Sequence, residues 1–284
     1  MYLENRIVIL RKPGDLVIEE KLFEPVIRND EVLVEVDRIS LCGSDYKLFF
    51  GHYNAPSVYP IVIGHEWAGK VLDVGNEVFH LKPGDKVTGD CSIYCGLCDN
   101  CKSDKNLCSD VKKYGITCDG FGQRYKVVPA RYLYKVYDNM PLKHAALIEC
   151  FSVASHAVQQ IFRHQAPSKQ DNALIIGCGA IGMAIHEILY RKFNFSNIQV
   201  KEVSTQQIEF IQKYFPETEI SLGLNGHDET EFNYIFEANG SLSSFDYALN
   251  ALKPKGTIVC LGFMPKGELL NLSKIVTKSE RIIG

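Results

Sequence analysis

The C-terminal half is best read from one stretch, Ala173-Leu174-Ile175-Ile176-Gly177-Cys178-Gly179-Ala180-Ile181-Gly182. Four apolar residues predict a buried strand, and they run directly into a G-x-G-x-x-G sequence. An apolar helical pattern follows, and a second strand, 198–202, ends in Glu202, twenty residues after Gly182. Such a βαβ unit can also exist without a ligand, but this order of elements favours a dinucleotide site. Residues 177–182 would approach the pyrophosphate at a helix N-terminus, and Glu202 would accept the ribose hydroxyls.

Further βα units follow this stretch. Ser204 is a predicted helix cap, strand 234–237 leads to Asn239 and Gly240, and strand 257–261 leads to Leu261 and Gly262. Repeated βα units predict an α/β fold with a doubly wound parallel sheet. Such sheets bind ligands at the carboxyl ends of their strands. Asn239, Gly240, Leu261 and Gly262 are therefore further candidates for cofactor binding.

The N-terminal half has a different pattern. Short extended runs at 31–36, 60–63 and 67–71, and a Pro-Gly turn at 83–84 before another strand, predict a small barrel-like β domain. The pattern becomes helical from about residue 145. We therefore predict two domains, 1–150 and 151–284.

Two short motifs in the N-terminal half suggest a metal site. Cys42-Gly43-Ser44-Asp45 and Gly64-His65-Glu66 bring a thiol, an imidazole and a carboxylate to the two ends of one segment. Zinc binds all three groups, and a catalytic zinc keeps one position open for water or substrate. Spacing alone does not separate this interpretation from two unrelated core residues.

A second motif is rich in cysteine. Cys95, Cys98, Cys101 and Cys108 predict a closed zinc site in a lobe spanning 91–108, with Cys91 left outside the pattern. Four protein sulfurs leave no position for chemistry, so this zinc would be structural and would stabilise the lobe.

Composition excludes several classes of function. The chain has 284 residues, a formal charge of −3 and no run of about 20 apolar residues. Neither nucleic acid nor a membrane is therefore an expected partner, and the protein is predicted to be cytoplasmic. Ten cysteines then favour metal ligands over disulfides.

The order of these motifs, together with Ile148-Glu149 in an apolar helical pattern, resembles the zinc-dependent medium-chain dehydrogenases, in particular the sorbitol (polyol) and threonine dehydrogenase branches. The similarity runs from about Glu31 to Gly284. It implies a GroES-like catalytic domain followed by a Rossmann domain. It also implies a small alcohol, a polyol or a polyol phosphate as substrate. The implied cofactors are NAD and two zinc ions per chain, and the implied assembly is a homodimer or homotetramer.

The resemblance assigns roles to individual residues. Cys42 and His65 correspond to catalytic zinc ligands, and Glu66 to a third ligand or close neighbour. Glu149 matches a carboxylate that reaches the metal directly or through water, although on sequence alone a Glu in such a helix is usually a solvated residue. Ser44 would accept the proton of the alcohol, and NAD would accept the hydride.

Two features depart from the family pattern. Six residues separate Cys101 from Cys108, where relatives have seven. Relatives also continue beyond Gly284 with a tail that returns to the catalytic domain. We therefore expect a fragment that retains zinc and some NADH affinity, exposes a sheet edge, aggregates and shows weak or no turnover.

Three alternatives remain open. A zinc-free quinone reductase would need neither Cys42 nor the cysteine lobe. An L-threonine 3-dehydrogenase would use the same site on an amino acid. A non-catalytic nucleotide-binding protein would bind NADH without turnover.

Overall fold

The computed structural model describes residues 2–162, 167–168, 170–224, 231–264, 273–278 and 280–284. The chain divides into two compact units, Met1–Glu149 and Cys150–Gly284.

The first unit is built mainly from short strands. Its strands and helices are β1 (Leu3–Lys12), β2 (Asp15–Phe23), β3 (Glu31–Ser40), α1 (Gly43–Phe49), β4 (Ile61–Val62), β5 (Glu66–Val74), β6 (Lys86–Gly89), β7 (Ser92–Ile93), α2 (Asp99–Ser103), β8 (Lys112–Lys113), β9 (Tyr125–Pro129), β10 (Leu133–Lys135) and α3 (Leu142–Ala145). Antiparallel pairing gives a five-stranded sheet, β10-β6-β5-β3-β9, and a three-stranded sheet, β2-β1-β4.

An aromatic pair lies in the core of this unit. The rings of Trp67 and Phe121 stack with centroids 3.9 Å apart, and both side chains are buried. The valines Val32, Val34 and Val71 pack in the same cluster. Alternate residues of β3 and β5 thus fill the core, as the extended pattern predicts.

The second unit alternates helices and strands. Its elements are α4 (Ile148–Phe162, which begins in the first unit), β11 (Ala173–Ile176), α5 (Ala180–Phe193), β12 (Ile198–Glu202), α6 (Thr205–Tyr214), β13 (Glu219–Leu222), β14 (Phe232–Glu237), α7 (Leu242–Ala251), β15 (Leu252–Cys260), α8 (Ser273–Lys278) and β16 (Arg281–Ile283).

Six described strands form one parallel sheet in the order β13-β12-β11-β14-β15-β16. Separate apolar clusters cover its two faces, one with Ile175 and Val200 and the other with Leu174 and Ile176. The predicted doubly wound α/β sheet is confirmed. β15 begins at Leu252, five residues before the predicted start, so the predicted strand was too short.

Candidate metal centre and nucleotide site

The pairing of β3 with β5 brings the two halves of the first motif together. Ser40, at the end of β3, lies opposite Glu66, the first residue of β5. Cys42 follows β3 and His65 precedes β5, so both leave the sheet at the same end. Gly64 has φ +93°, and a Cβ there would lie 3.2 Å from the backbone nitrogen of Gly122. Glycine is favoured at this position by both conformation and space.

One ligand atom from each of Cys42, His65 and Glu66 lies within 4.8 Å of the other two. His65 is 4% exposed and Glu66 is 2% exposed. Among the described residues, Glu66 Oε2 has no hydrogen-bond partner. Buried polar atoms are costly when unpaired, and a thiol, an imidazole and a carboxylate suit zinc. These residues therefore fit an open zinc site.

Asp45 supports this group, although the sequence analysis gave it no role. Its Oδ2 accepts a hydrogen bond from the Cys42 backbone nitrogen at 2.9 Å, and its Oδ1 lies 3.7 Å from His65 Nδ1. Burial raises the pKa of Asp45, and the neighbouring His65 opposes that shift. A carboxylate behind a metal-binding histidine fixes the ring and raises its basicity. The signal was present in the quoted Cys-Gly-Ser-Asp motif.

Ser44 lies beside the Cys42 sulfur. Burial raises the pKa of Cys42 to about 12, while hydrogen bonds from the Ser44 backbone and hydroxyl lower it. A bound metal ion reverses this balance because it favours the thiolate.

Glu149 lies in the first turn of α4 and is half-buried rather than solvated. Burial raises its pKa, and His65 and Glu66 are close enough to shift it electrostatically in opposite directions. An interaction with the nearby Cys91 thiol lowers the pKa of Glu149. Glu149 is not one of the three residues whose ligand atoms meet within 4.8 Å.

The four cysteines of the lobe form a second group. Their sulfurs lie 3.4 Å (Cys98 to Cys101), 3.9 Å (Cys95 to Cys101) and 4.0 Å (Cys98 to Cys108) apart. A tetrahedral zinc with bonds of about 2.3 Å would separate its sulfurs by roughly 3.8 Å. The cluster therefore fits a closed zinc site, with six residues between Cys101 and Cys108.

Backbone amide donors lower the pKa values of two of these thiols. The backbone nitrogens of Leu97 and Cys98 each lie 3.4 Å from Cys95 Sγ, and they lower the pKa of that thiol. The Ser109 backbone nitrogen lowers the pKa of Cys98 in the same way. Because hydrogen bonds to sulfur favour the thiolate, this loop suits a metal before one binds.

The glycine-rich turn joins β11 to α5 in the second unit. Gly177 has φ +83°, and Gly179 is the N-cap of α5, so Ala180 and Ile181 form the first helical positions. A Cβ at Gly182 would lie 2.2 Å from the Gly177 carbonyl oxygen. The three glycines thus meet the needs of a tight turn, an open approach and close helix packing.

Comparison with known proteins identifies the family. Residues 28–138 match the alcohol dehydrogenase GroES-like domain. The chain is 32% identical to the starvation-sensing protein RspB of Escherichia coli K12 over 203 residues, which cover 71% of this chain and 58% of that protein. It is 26% identical to L-threonine 3-dehydrogenase of Shewanella baltica OS185 over 273 residues, or 92% of this chain and 78% of that enzyme. The chain belongs to the zinc-binding medium-chain dehydrogenase family.

A solved structure agrees with this placement. The alcohol dehydrogenase RspB of E. coli CFT073, in complex with NADH, superposes with a TM-score of 0.86 at 26% identity, covering 99% of this chain and 83% of that one. The GroES-like and Rossmann folds expected from the sequence are confirmed. No helix among the described residues of this medium-chain dehydrogenase is long and apolar enough to cross a membrane.

Glu202 ends β12 of this dehydrogenase beside the glycine turn. Its Oε2 accepts a hydrogen bond from the Cys178 backbone nitrogen at 2.7 Å, and its Oε1 accepts from Val203 and Ser204 at 2.7 and 3.0 Å. The carboxylate therefore braces the turn. Local amide contacts of this kind leave no periodic signal in a sequence.

The sequence analysis also missed Glu237, which is fully buried at the end of β14. Its Oε1 accepts hydrogen bonds from the backbone nitrogens of Asn239 and Gly240 at 3.0 and 2.8 Å. Its backbone oxygen accepts from Leu261 and Gly262 at 2.8 and 3.1 Å. One glutamate thus joins the two strand-end loops predicted to contact the cofactor in this dehydrogenase.

Proposed function

We propose that this chain is a zinc-dependent oxidoreductase that interconverts a secondary alcohol, a polyol or polyol phosphate, and its ketone with NAD. The observation that carries the proposal is the group of Cys42, His65 and Glu66, with ligand atoms within 4.8 Å. We assign the metal chemistry to Met1–Glu149 and cofactor binding to Cys150–Gly284.

Zinc in this group would act as a Lewis acid that lowers the pKa of a bound hydroxyl, and NAD would accept the hydride. Cys42, His65 and Glu66 would hold the metal. The Ser44 hydroxyl, which lies close enough to the Cys42 sulfur to lower its pKa, is our candidate to accept the alcohol proton. Asp45 would orient His65.

The carboxylates favour a polar substrate. Glu149 is a half-buried carboxylate that is affected electrostatically by His65 and Glu66 and is not one of the three residues that would hold the metal. Buried acceptors of this kind are better satisfied by several hydroxyls than by an aliphatic chain. We therefore rank polyols above simple alcohols.

A substrate panel tests the proposal. NADH formation is followed for the zinc-loaded chain with polyols, polyol phosphates, ethanol and L-threonine, and Cys42→Ser is the control. We expect turnover on at least one polyol or polyol phosphate that is lost in Cys42→Ser. Faster turnover of ethanol than of every polyol contradicts the substrate class. NADH binding with no turnover of any compound favours the non-catalytic alternative.

L-Threonine is the second candidate substrate. The similarity to L-threonine 3-dehydrogenases extends over 273 residues, more than the 203 residues matched in RspB. The same zinc chemistry would then act on the hydroxyl of an amino acid. Turnover of L-threonine above all polyols in the panel selects this reading.

A further inference from the structure

Three loop segments of the second unit touch one another at the carboxyl ends of neighbouring strands. A Cβ on Gly177, in the turn after β11, would lie 3.1 Å from the Asn239 Cβ in the loop after β14. A Cβ on Gly262, in the loop after β15, would overlap the backbone nitrogen of Gly240. The turn and the two loops therefore form one continuous row at this end of the sheet.

The order of the strands relates this row to the parts of the cofactor. In the proposed function, Glu202 at the end of β12 receives the adenosine ribose, and the glycine turn after β11 receives the pyrophosphate. β14 and β15 continue the sheet on the other side of β11. The loops after these two strands, 239–240 and 261–262, are then left to receive the nicotinamide half.

Glu237, the last residue of β14, is bonded to both of these loops. Its Oε1 accepts hydrogen bonds from the Asn239 and Gly240 nitrogens at 3.0 and 2.8 Å, and from the Ser244 hydroxyl in the first turn of α7 at 2.7 Å. Its backbone oxygen accepts from the nitrogens of residues 261 and 262 at 2.8 and 3.1 Å. Donors from three segments thus converge on one fully buried residue.

The second carboxylate oxygen of Glu237 lies against the loop after β15. A Cβ on Gly262 would lie 2.8 Å from this Oε2, which is buried and has no hydrogen-bond partner in the described part of the chain. Buried acceptors without a donor are costly and rare in folded proteins. Such a cost is typical of positions where the geometry of a site, rather than stability, determines the residue.

We propose that Glu237 is a positioning residue for the nicotinamide half of the cofactor, because it fixes the distance between loops 239–240 and 261–262. It acts through the backbone of these loops, and its own buried side chain does not touch the cofactor. The inference rests on the proposed function, because it needs NAD to bind across the carboxyl ends of these strands.

Two substitutions disturb the loops in different ways. Glu237→Ala removes the acceptor, whereas Gly262→Ala keeps the acceptor and places a methyl group against Gly240. Glu237→Gln is the conservative variant, because its amide oxygen can replace Oε1. Glu187→Ala is the matched control, since Glu187 is another partly buried carboxylate of the same unit and pairs with Arg191 at 2.8 Å within α5.

The readout is Kd for two ligands, measured by isothermal titration calorimetry. NADH occupies the whole site, and ADP carries the adenosine and the pyrophosphate but no nicotinamide. We expect Glu237→Ala and Gly262→Ala to weaken NADH binding by about tenfold, because a misplacement of about 1 Å can cost a site up to about a hundredfold. ADP affinity in every variant, and NADH affinity in Glu237→Gln and Glu187→Ala, should stay within about twofold of the parent chain, as for independent sites.

Three results overturn the inference while leaving the proposed function intact. The first is parent-like NADH affinity in Glu237→Ala. The second is an equal loss of NADH and ADP affinity, because Glu237 would then support the whole unit. The third is a loss in Glu237→Gln equal to that in Glu237→Ala, because the acceptor would then not be the cause.

Circular dichroism shows whether each variant is folded. If Glu237→Ala is not, the NADH and ADP affinities of Gly262→Ala decide by the same comparison, and a parent-like NADH affinity there overturns the inference. If the parent chain itself does not bind NADH, the proposed function fails and this inference fails with it.

Discussion

Glu202 combines two roles at one residue. Its carboxylate accepts three backbone hydrogen bonds around the glycine turn, so its position is fixed before any nucleotide binds. In the ribose-binding role predicted for Glu202, its negative charge would face the ribose, and no Lys or Arg occupies the six positions after it. A 2′-phosphate would meet an uncompensated like charge there.

We therefore predict that the chain binds NADH more tightly than NADPH by at least roughly tenfold, or about 1.4 kcal/mol. Glu202→Gln should narrow this preference, because it removes the charge and retains an acceptor for the amides. The measurement is Kd for both cofactors by nicotinamide fluorescence, with Glu219→Gln as an acidic control in the same unit. Equal affinities in the parent chain would refute the role of Glu202.

His186 is a buried histidine in α5 with no role in the proposed chemistry. It is 1% exposed, its Nε2 lies 2.7 Å from Thr218 Oγ1, and its ring lies 4.2 Å from that of Phe215. Within the described part of the chain, its Nδ1 has no hydrogen-bond partner. Burial lowers its pKa to about 4, so the folded chain keeps it neutral.

This shift predicts how stability depends on pH. The unfolded histidine takes up a proton near pH 6.5 and the folded one does not, so the stabilisation is present above pH 6.5 and is lost as pH falls toward 4. Between pH 7.5 and pH 5 we expect the free energy of unfolding to fall by about 2 kcal/mol from this group. The contribution of His186 is measured by urea titrations of the parent chain and of His186→Gln. The glutamine keeps a polar partner for Thr218 but does not titrate. If the free energy of unfolding depends on pH identically in the two chains, His186 does not make this contribution.

At the scale of an element, two glycines of the glycine turn have different predicted roles: Gly182 in packing and Gly179 in cofactor binding. A Cβ at Gly182 would lie 2.2 Å from the Gly177 oxygen, whereas a Cβ at Gly179 would meet nothing within 4 Å. We expect Gly182→Ala to destabilise the chain by roughly 1–3 kcal/mol, as overpacking does. Gly179→Ala should leave stability unchanged and weaken NADH binding about tenfold, because the backbone must approach the pyrophosphate. Urea unfolding and NADH titration of both variants test this, and NADH affinity retained in Gly179→Ala would contradict it.

The cysteine lobe lends itself to a similar experiment. Its helix α2 is only five residues long, and the lobe residues Leu97 and Leu107 are exposed rather than packed in a core. Metal binding should therefore provide much of its local folding free energy. We predict that Cys98→Ser loses the lobe zinc and becomes more sensitive to limited proteolysis at 91–108, with Cys118→Ser as control. An unchanged cleavage pattern would show that the lobe folds without metal.

The sequence predicted the elements better than the contacts between them. Hydrophobic pattern and turn residues located β11, α5 and β12, because local spacing determines which face of each element is buried. The contact between Glu202 and the Cys178 amide spans 24 positions, and the brace at Glu237 depends on backbone amides. Neither leaves a period or a motif, so both follow only from the folded arrangement.

At the scale of the whole molecule, the chain can be compared with its relatives by the share of their length that it matches. The matched part of the chain spans 58% of the length of RspB and 78% of the L-threonine 3-dehydrogenase. The weak or absent turnover and the aggregation expected from the sequence stay predictions. Size-exclusion chromatography checks the assembly, and it does not bear on metal binding within Met1–Glu149.

Zinc content therefore tests the central claim most directly, because it does not require turnover. Metal analysis of the purified, zinc-loaded chain by mass spectrometry should give two zinc ions per parent chain, from the two groups of ligands. Cys42→Ser should contain one and keep its fold, because only the open site loses a ligand. One zinc in both the parent and Cys42→Ser would contradict the account of Cys42, His65 and Glu66 as an open zinc site.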